Sequence, residues 1–398
     1  MADLFDTLAA TAAGQGPDAM LDTLAASLAA RRRWHALFDL RLLQARVALG
    51  LPATGETGPL DAATRERLDE KSVAACREVG WPLLDEGHVA AAWMYLRAAA
   101  EPAEVAARLA VVAREPLADD EARAARLQEI VHVALWEGVD PALGIALVIE
   151  SQGTCNAITA YEQAVSRLPA DRQRPPAAVL VEHLFREVFA ALAADVERRG
   201  LVPPARIAAT ASIVQLLDAA GGLADDPSFH VDVSHLQSVL RLARVCTERR
   251  MVEKAWELAV YACRLPAEVT YPGEPPFEDM ARASRLFFAA LLGRDVDDAV
   301  AFFQAAAAAA HDGSAGTLPF DTLVYLLWRL DRPAAALEAA LERPDDRSMP
   351  GMMQATGMLP SLVELARAGN ALDRLRDACR RRGDEITFAA TFVALAGA

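Results

Sequence analysis

Apolar residues recur along this chain at spacings of three and four, and strand-like alternation of Val, Ile and Thr is absent. That period predicts helices near residues 3–13, 18–31, 34–49, 61–79, 83–99 and 102–114. It continues with 119–137, 141–152, 156–168, 176–199 and 203–219. After a long loop come 234–248, 250–265, 277–292, 295–311, 319–330, 333–343, 359–368, 370–382 and 385–396. Pro17 suits a first helical position and Gly50 a stop, and Pro82 is expected to interrupt a helix.

Short helices joined by short turns predict an all-α fold of antiparallel pairs, each too small to bury its apolar face alone. The expected organisation is an N-terminal helical segment, 1–116, followed by a helical-repeat array, 117–398, continuous with it as one elongated domain. Gly80, Ala92, Leu96 and Ala99 stand at small and apolar positions of one pair. Leu242, Ala243, Ala255 and Ala262 do so in another, with Pro266 one place off. Both pairs resemble the tetratricopeptide (TPR) pattern. The resemblance implies a TPR-like superhelix, an α-solenoid, with a concave groove for a protein or peptide partner.

Composition narrows the function classes. The chain has 398 residues, 53% of them apolar, and a net charge of −15, which argues against nucleic-acid or anionic-membrane partners. Lys71 and Lys254 are the two lysines among 40 basic residues, so Arg and Ala at any one position carry little information. The N-terminus reads as no secretory leader, and no uncharged apolar run is long enough to span a bilayer. Five scattered cysteines without a CxxC pair suit free thiols in a cytoplasmic protein. Phosphate loops, GxGxxG, HExxH and GxSxG are all absent.

Candidate chemistry gathers at histidines. His230, Asp232 and His235 stand just before a helix, and imidazole with carboxylate suits a divalent metal or acid–base work. A capping role for Asp232 or Ser234 is the plain alternative. His183 and Glu187, four apart, share a helix face and can grip one ion, or form an ordinary surface pair. His132 sits in an apolar helix, as a pocket base or a packed side chain. Cys155 lies in a polar turn, and Tyr271 and Phe277 sit in a Pro-rich loop that suits a lid. In an up-and-down array His132, His183 and the loop bearing His230 fall at one end, which predicts a shared pocket. The expected ligand-binding set is therefore His132, His183, Glu187, His230, Asp232, His235 and Tyr271. A divalent metal would fall to His183, Glu187, His230, Asp232 and His235. The first reading is a binding module for a protein or peptide. The second is an enzyme or small-ligand receptor built on that pocket.

Overall fold

The computed structural model describes residues 3–56, 58–221, 232–310, 316–344, 353 and 356–396. Among them the chain is all-α, with no strand, and neighbouring helices pack in pairs. No described helix is long and apolar enough to cross a membrane. The chain divides into two compact units, Met1–Leu147 and Val148–Ala398.

The first unit holds α1 (Leu4–Gln15), α2 (Pro17–Ala30), α3 (Trp34–Ala48), α4 (Ala62–Asp85), α5 (Val89–Leu96), α6 (Pro102–Val112) and α7 (Asp120–Val131). A π-helical turn, His132–Trp136, follows α7, and α8 (Pro141–Ala164) begins after it. Local chemistry sets the starts. Pro17 occupies the first turn of α2, the Asp61 side chain accepts from Thr64 N to cap α4, and Glu101 and Glu104 form a capping box on α6. The core of this unit gathers Leu84, Val89, Leu96, Leu109 and Ile130, all at most 1% exposed. A second cluster holds Leu28, Leu37, Leu40 and Val79.

Two expectations meet at α4. Pro82 does not end the helix, which runs on to Asp85. Proline removes one hydrogen bond, and the buried Leu83 and Leu84 beside it keep the last turn packed. Gly80 is where α4 and α5 touch: a Cβ built there would lie 2.7 Å from the Leu96 side chain. The small residue at that position is therefore a packing requirement.

The second unit contains the end of α8, then α9 (Ala170–Arg198), α10 (Pro204–Ala208), α11 (Ile213–Ala220), α12 (Val233–Leu242) and α13 (Arg249–Ala262). It continues with α14 (Met280–Leu291), α15 (Val296–Ala309), α16 (Leu318–Arg329) and α17 (Pro333–Glu342). The last elements are α18 (Leu362–Ala368), α19 (Leu372–Arg382) and α20 (Glu385–Ala396). A 3-10 turn, Ala243–Val245, extends α12. Large buried side chains, Tyr161, Tyr261, Phe277, Phe287 and Phe303, fill its interior.

Three boundaries differ from the periodic reading. Gly153, at φ +82°, breaks α8 as expected, yet the two halves are consecutive. Helix α9 starts at Ala170, upstream of Pro175 and Pro176, and the buried Gln173 side chain donates to the carbonyls of Ser166 and Leu168 at its start. The predicted 203–219 helix is two helices. Ser212 caps the second by accepting from Gln215 N, which ends the first at Ala208. One added helix changes the up-and-down order on which the shared histidine pocket depends.

Candidate functional site

Each predicted site residue that is described has its own local partners. His132 belongs to the first unit, in the π-helical turn, with its side chain 62% exposed and Nε2 3.6 Å from Glu137. His183 and Glu187 do form a cluster on α9. The Thr154 hydroxyl, just past the Gly153 break, lies 2.9 Å from His183 Nε2 and donates to Glu187 Oε2 at 3.2 Å. One imidazole and one carboxylate share that hydroxyl, which gives a polar latch between α8 and α9.

Asp232 is the N-cap of α12. Its Oδ1 accepts from Ser234 N at 2.9 Å and from the Ser234 hydroxyl at 2.6 Å, and Oδ2 stands 3.7 Å from His235 Nε2. Those hydrogen bonds, led by the one from the Ser234 side chain, hold the Asp232 carboxyl below its ordinary range. His230 lies outside the described residues. Among the described residues, no group of three or more His, Cys, Asp or Glu side chains is placed to hold a metal ion. Cys155 is exposed and free.

The Pro-rich loop splits the two residues assigned to it. Tyr271 is 65% exposed and borders a cleft of about 580 Å³ with Leu236, Gln237 and Met280; Gln237 Nε2 donates to the Tyr271 carbonyl at 2.7 Å. Phe277 is 1% exposed and belongs to the core. Gly273 makes that inward turn, since a Cβ there would lie 2.3 Å from the Phe277 carbonyl oxygen.

Phe277 leads to the chemistry that the periodic reading missed. The Arg244 guanidinium carbon lies 3.4 Å from the Phe277 ring centroid, a cation resting on an aromatic face. Arg244 lines a cavity of about 370 Å³ in the second unit. Apolar walls come from Leu242, Val245, Phe287, Leu318, Met353 and Met358, with Tyr161 and Tyr325 beside them. The residue is half-buried: its Nε is sealed from solvent, and the rest of the group faces the cavity.

The charges around this void are unevenly matched. Arg241 pairs with Glu162 at 2.8 Å, and Arg343 with the buried Asp321 at 2.9 Å. Asp321 also accepts from the Thr317 hydroxyl at 3.0 Å; burial still pushes its carboxyl up, against the pull of Arg343. Glu274 is exposed at the rim. Arg244 has no carboxylate in salt-bridge reach among the described residues. Its Nη2 meets only the Met280 sulfur, at 3.6 Å, and its Nε is buried without a hydrogen-bond partner. Burial, with a smaller push from Arg241, lowers the guanidinium to about 9, so it remains charged at neutral pH.

A second layer fixes this arrangement. The Tyr325 hydroxyl donates to the Arg244 carbonyl at 3.2 Å and accepts from Arg329 Nη1 at 2.9 Å, while Arg329 Nη2 donates to the Cys246 carbonyl at 3.1 Å. Gln173 is held by Tyr161, whose hydroxyl donates to its carbonyl at 3.3 Å. Comparison with protein-family models, curated proteins and solved structures gives no match.

Proposed function

We propose that the second unit is a small-molecule receptor, carried on a TPR-like α-solenoid scaffold. The observation behind this reading is the cavity itself. Its volume of about 370 Å³ falls in the range of sites that enclose a small organic ligand, about 300–1,000 Å³. Apolar and aromatic walls with a few fixed polar groups are the usual build of such sites. The scaffold reading rests on neighbouring helix pairs and on the fully buried Ala255 at the small position of α13. The five free thiols suit the reducing cytoplasm.

The pocket chemistry differs from the histidine and carboxylate set first expected. Arginine, tyrosine, apolar side chains and the carboxylates Glu162, Glu274 and Asp321 line it, and His132, His183 and His235 do not. A protein or peptide partner is the second reading. The exposed apolar side chains Ile386, Phe392 and Val393 on α20 favour it.

The test uses N-phenyl-1-naphthylamine, a neutral fluorescent aromatic. We expect saturable one-to-one binding to the full chain, and its loss in Ser166→Trp, which places an indole in the cavity. Ser166 lines the void, and its hydroxyl serves only the Glu162 carbonyl one turn back. Binding that is unsaturable, or unchanged in Ser166→Trp, would overturn the receptor reading.

A further inference from the structure

A cation held in low dielectric without a counter-charge costs free energy, and folded chains rarely keep one without a use. Arg244 is such a group. The two carboxylates inside the cavity, Glu162 and Asp321, are each matched by their own arginine. Glu274 stands in water at the rim, where screening weakens it. Of the two arginines that line the cavity, Arg244 is the one without a carboxylate in salt-bridge reach.

We infer that the ligand of this cavity is a small organic monoanion, a carboxylate on an apolar body, whose charged end seats on Arg244. This inference rests on the receptor reading and adds the charge and class of the ligand to it. The charge count argues for one negative charge. A single negative charge matches the one unpaired arginine of the lining, whereas a phosphate dianion would add a second charge that no lining cation answers. A planar carboxylate also matches guanidinium hydrogen bonding, and charge-assisted bonds of that kind are about twice as strong as neutral ones. The body of the ligand would lie along Phe287, Leu318, Met353 and Met358, and the flexible methionines adapt to its shape. Phe277 and Tyr325 fix Arg244 from behind, one through the guanidinium and one through the carbonyl. The charge is thereby pre-set before any ligand arrives.

The closing experiment compares two probes with one aromatic body. 8-Anilinonaphthalene-1-sulfonate carries a single negative charge, and N-phenyl-1-naphthylamine is the same body without it. Fluorescence titration of the full chain at pH 7 should give at least tenfold tighter binding of the anion. Arg244→Gln should erase that preference while the neutral probe still binds. Arg244→Lys, which keeps the charge and loses the planar fork, should retain part of it. Equal affinity of the two probes in the wild-type chain would overturn the monoanion inference and leave the receptor reading standing. So would a preference that survives Arg244→Gln. If neither probe responds to Ser166→Trp, the receptor reading itself falls, and the inference with it.

Discussion

Replacing Arg244 with methionine should make the ligand-free protein more stable. Burial takes the guanidinium well below its ordinary value, to about 9. At about 1.36 kcal/mol per pKa unit, keeping it charged inside the folded unit costs on the order of 5 kcal/mol. The Phe277 face, 3.4 Å from the guanidinium carbon, returns about 2 kcal/mol of that. Methionine removes both effects and fills much of the same volume, so the net gain is roughly 3 kcal/mol. Replacing whole buried ion pairs by apolar residues gains up to about 1–4 kcal/mol, a figure of the same size. For a unit of this size, about 2–4 °C accompanies each kcal/mol, so Tm should rise by roughly 6–12 °C. The sign with pH follows from the direction of the shift. The folded value lies below the unfolded one, so the cost is fully present below pH 9 and lifts only above it. The gain should therefore be the same at pH 6 and pH 8, measured by scanning calorimetry of the full chain. A variant that melts at or below the wild-type temperature would refute the claim that Arg244 is buried without compensation.

Gly273→Ala should cost about 1–3 kcal/mol, because its Cβ meets the Phe277 carbonyl and must push Phe277 off the Arg244 guanidinium; a melt with unchanged Tm counts against that turn geometry. Asp232→Ala should cost about 0.5–2 kcal/mol through loss of the α12 cap. Because the folded Asp232 carboxyl lies below its ordinary 3.8, this advantage is present above that value and is lost as pH falls through the folded one. Chemical denaturation at pH 7 and pH 3 should show the wild-type margin shrinking in acid, and an equal margin at both would point to another role for Asp232.

The helices were legible because each depends on its own neighbours in sequence. The three-and-four period locates nearly every one, and Gly80, Ala92 and Leu96 mark a true close approach of α4 and α5. Boundaries failed where a proline reads as a break and the helix runs through it, at Pro82 and at Pro175 and Pro176, and where a side-chain cap starts a new helix, at Ser212. The histidine cluster drew attention because its members are close in sequence. Asp232 and Ser234 turned out to serve the helix start beside them. Arg244 gave no such signal. It is one arginine in a chain crowded with them, and what isolates it comes from Phe277, Met280 and Tyr325, far along the chain. One cue was present: Arg244 lies between the buried Ala243 and Val245, where a charged side chain enters apolar surroundings.

The cavity walls come from residues as distant as Tyr161 and Met358. No fragment that lacks the wall residues near Tyr161 or those near Met358 has the whole lining. Closing it requires contacts across nearly two hundred residues, so it forms late in folding, after the local helix pairs have met. An occupant then acts as a clasp on a finished chain: it favours only the completed fold, and a cut that removes either wall should release it.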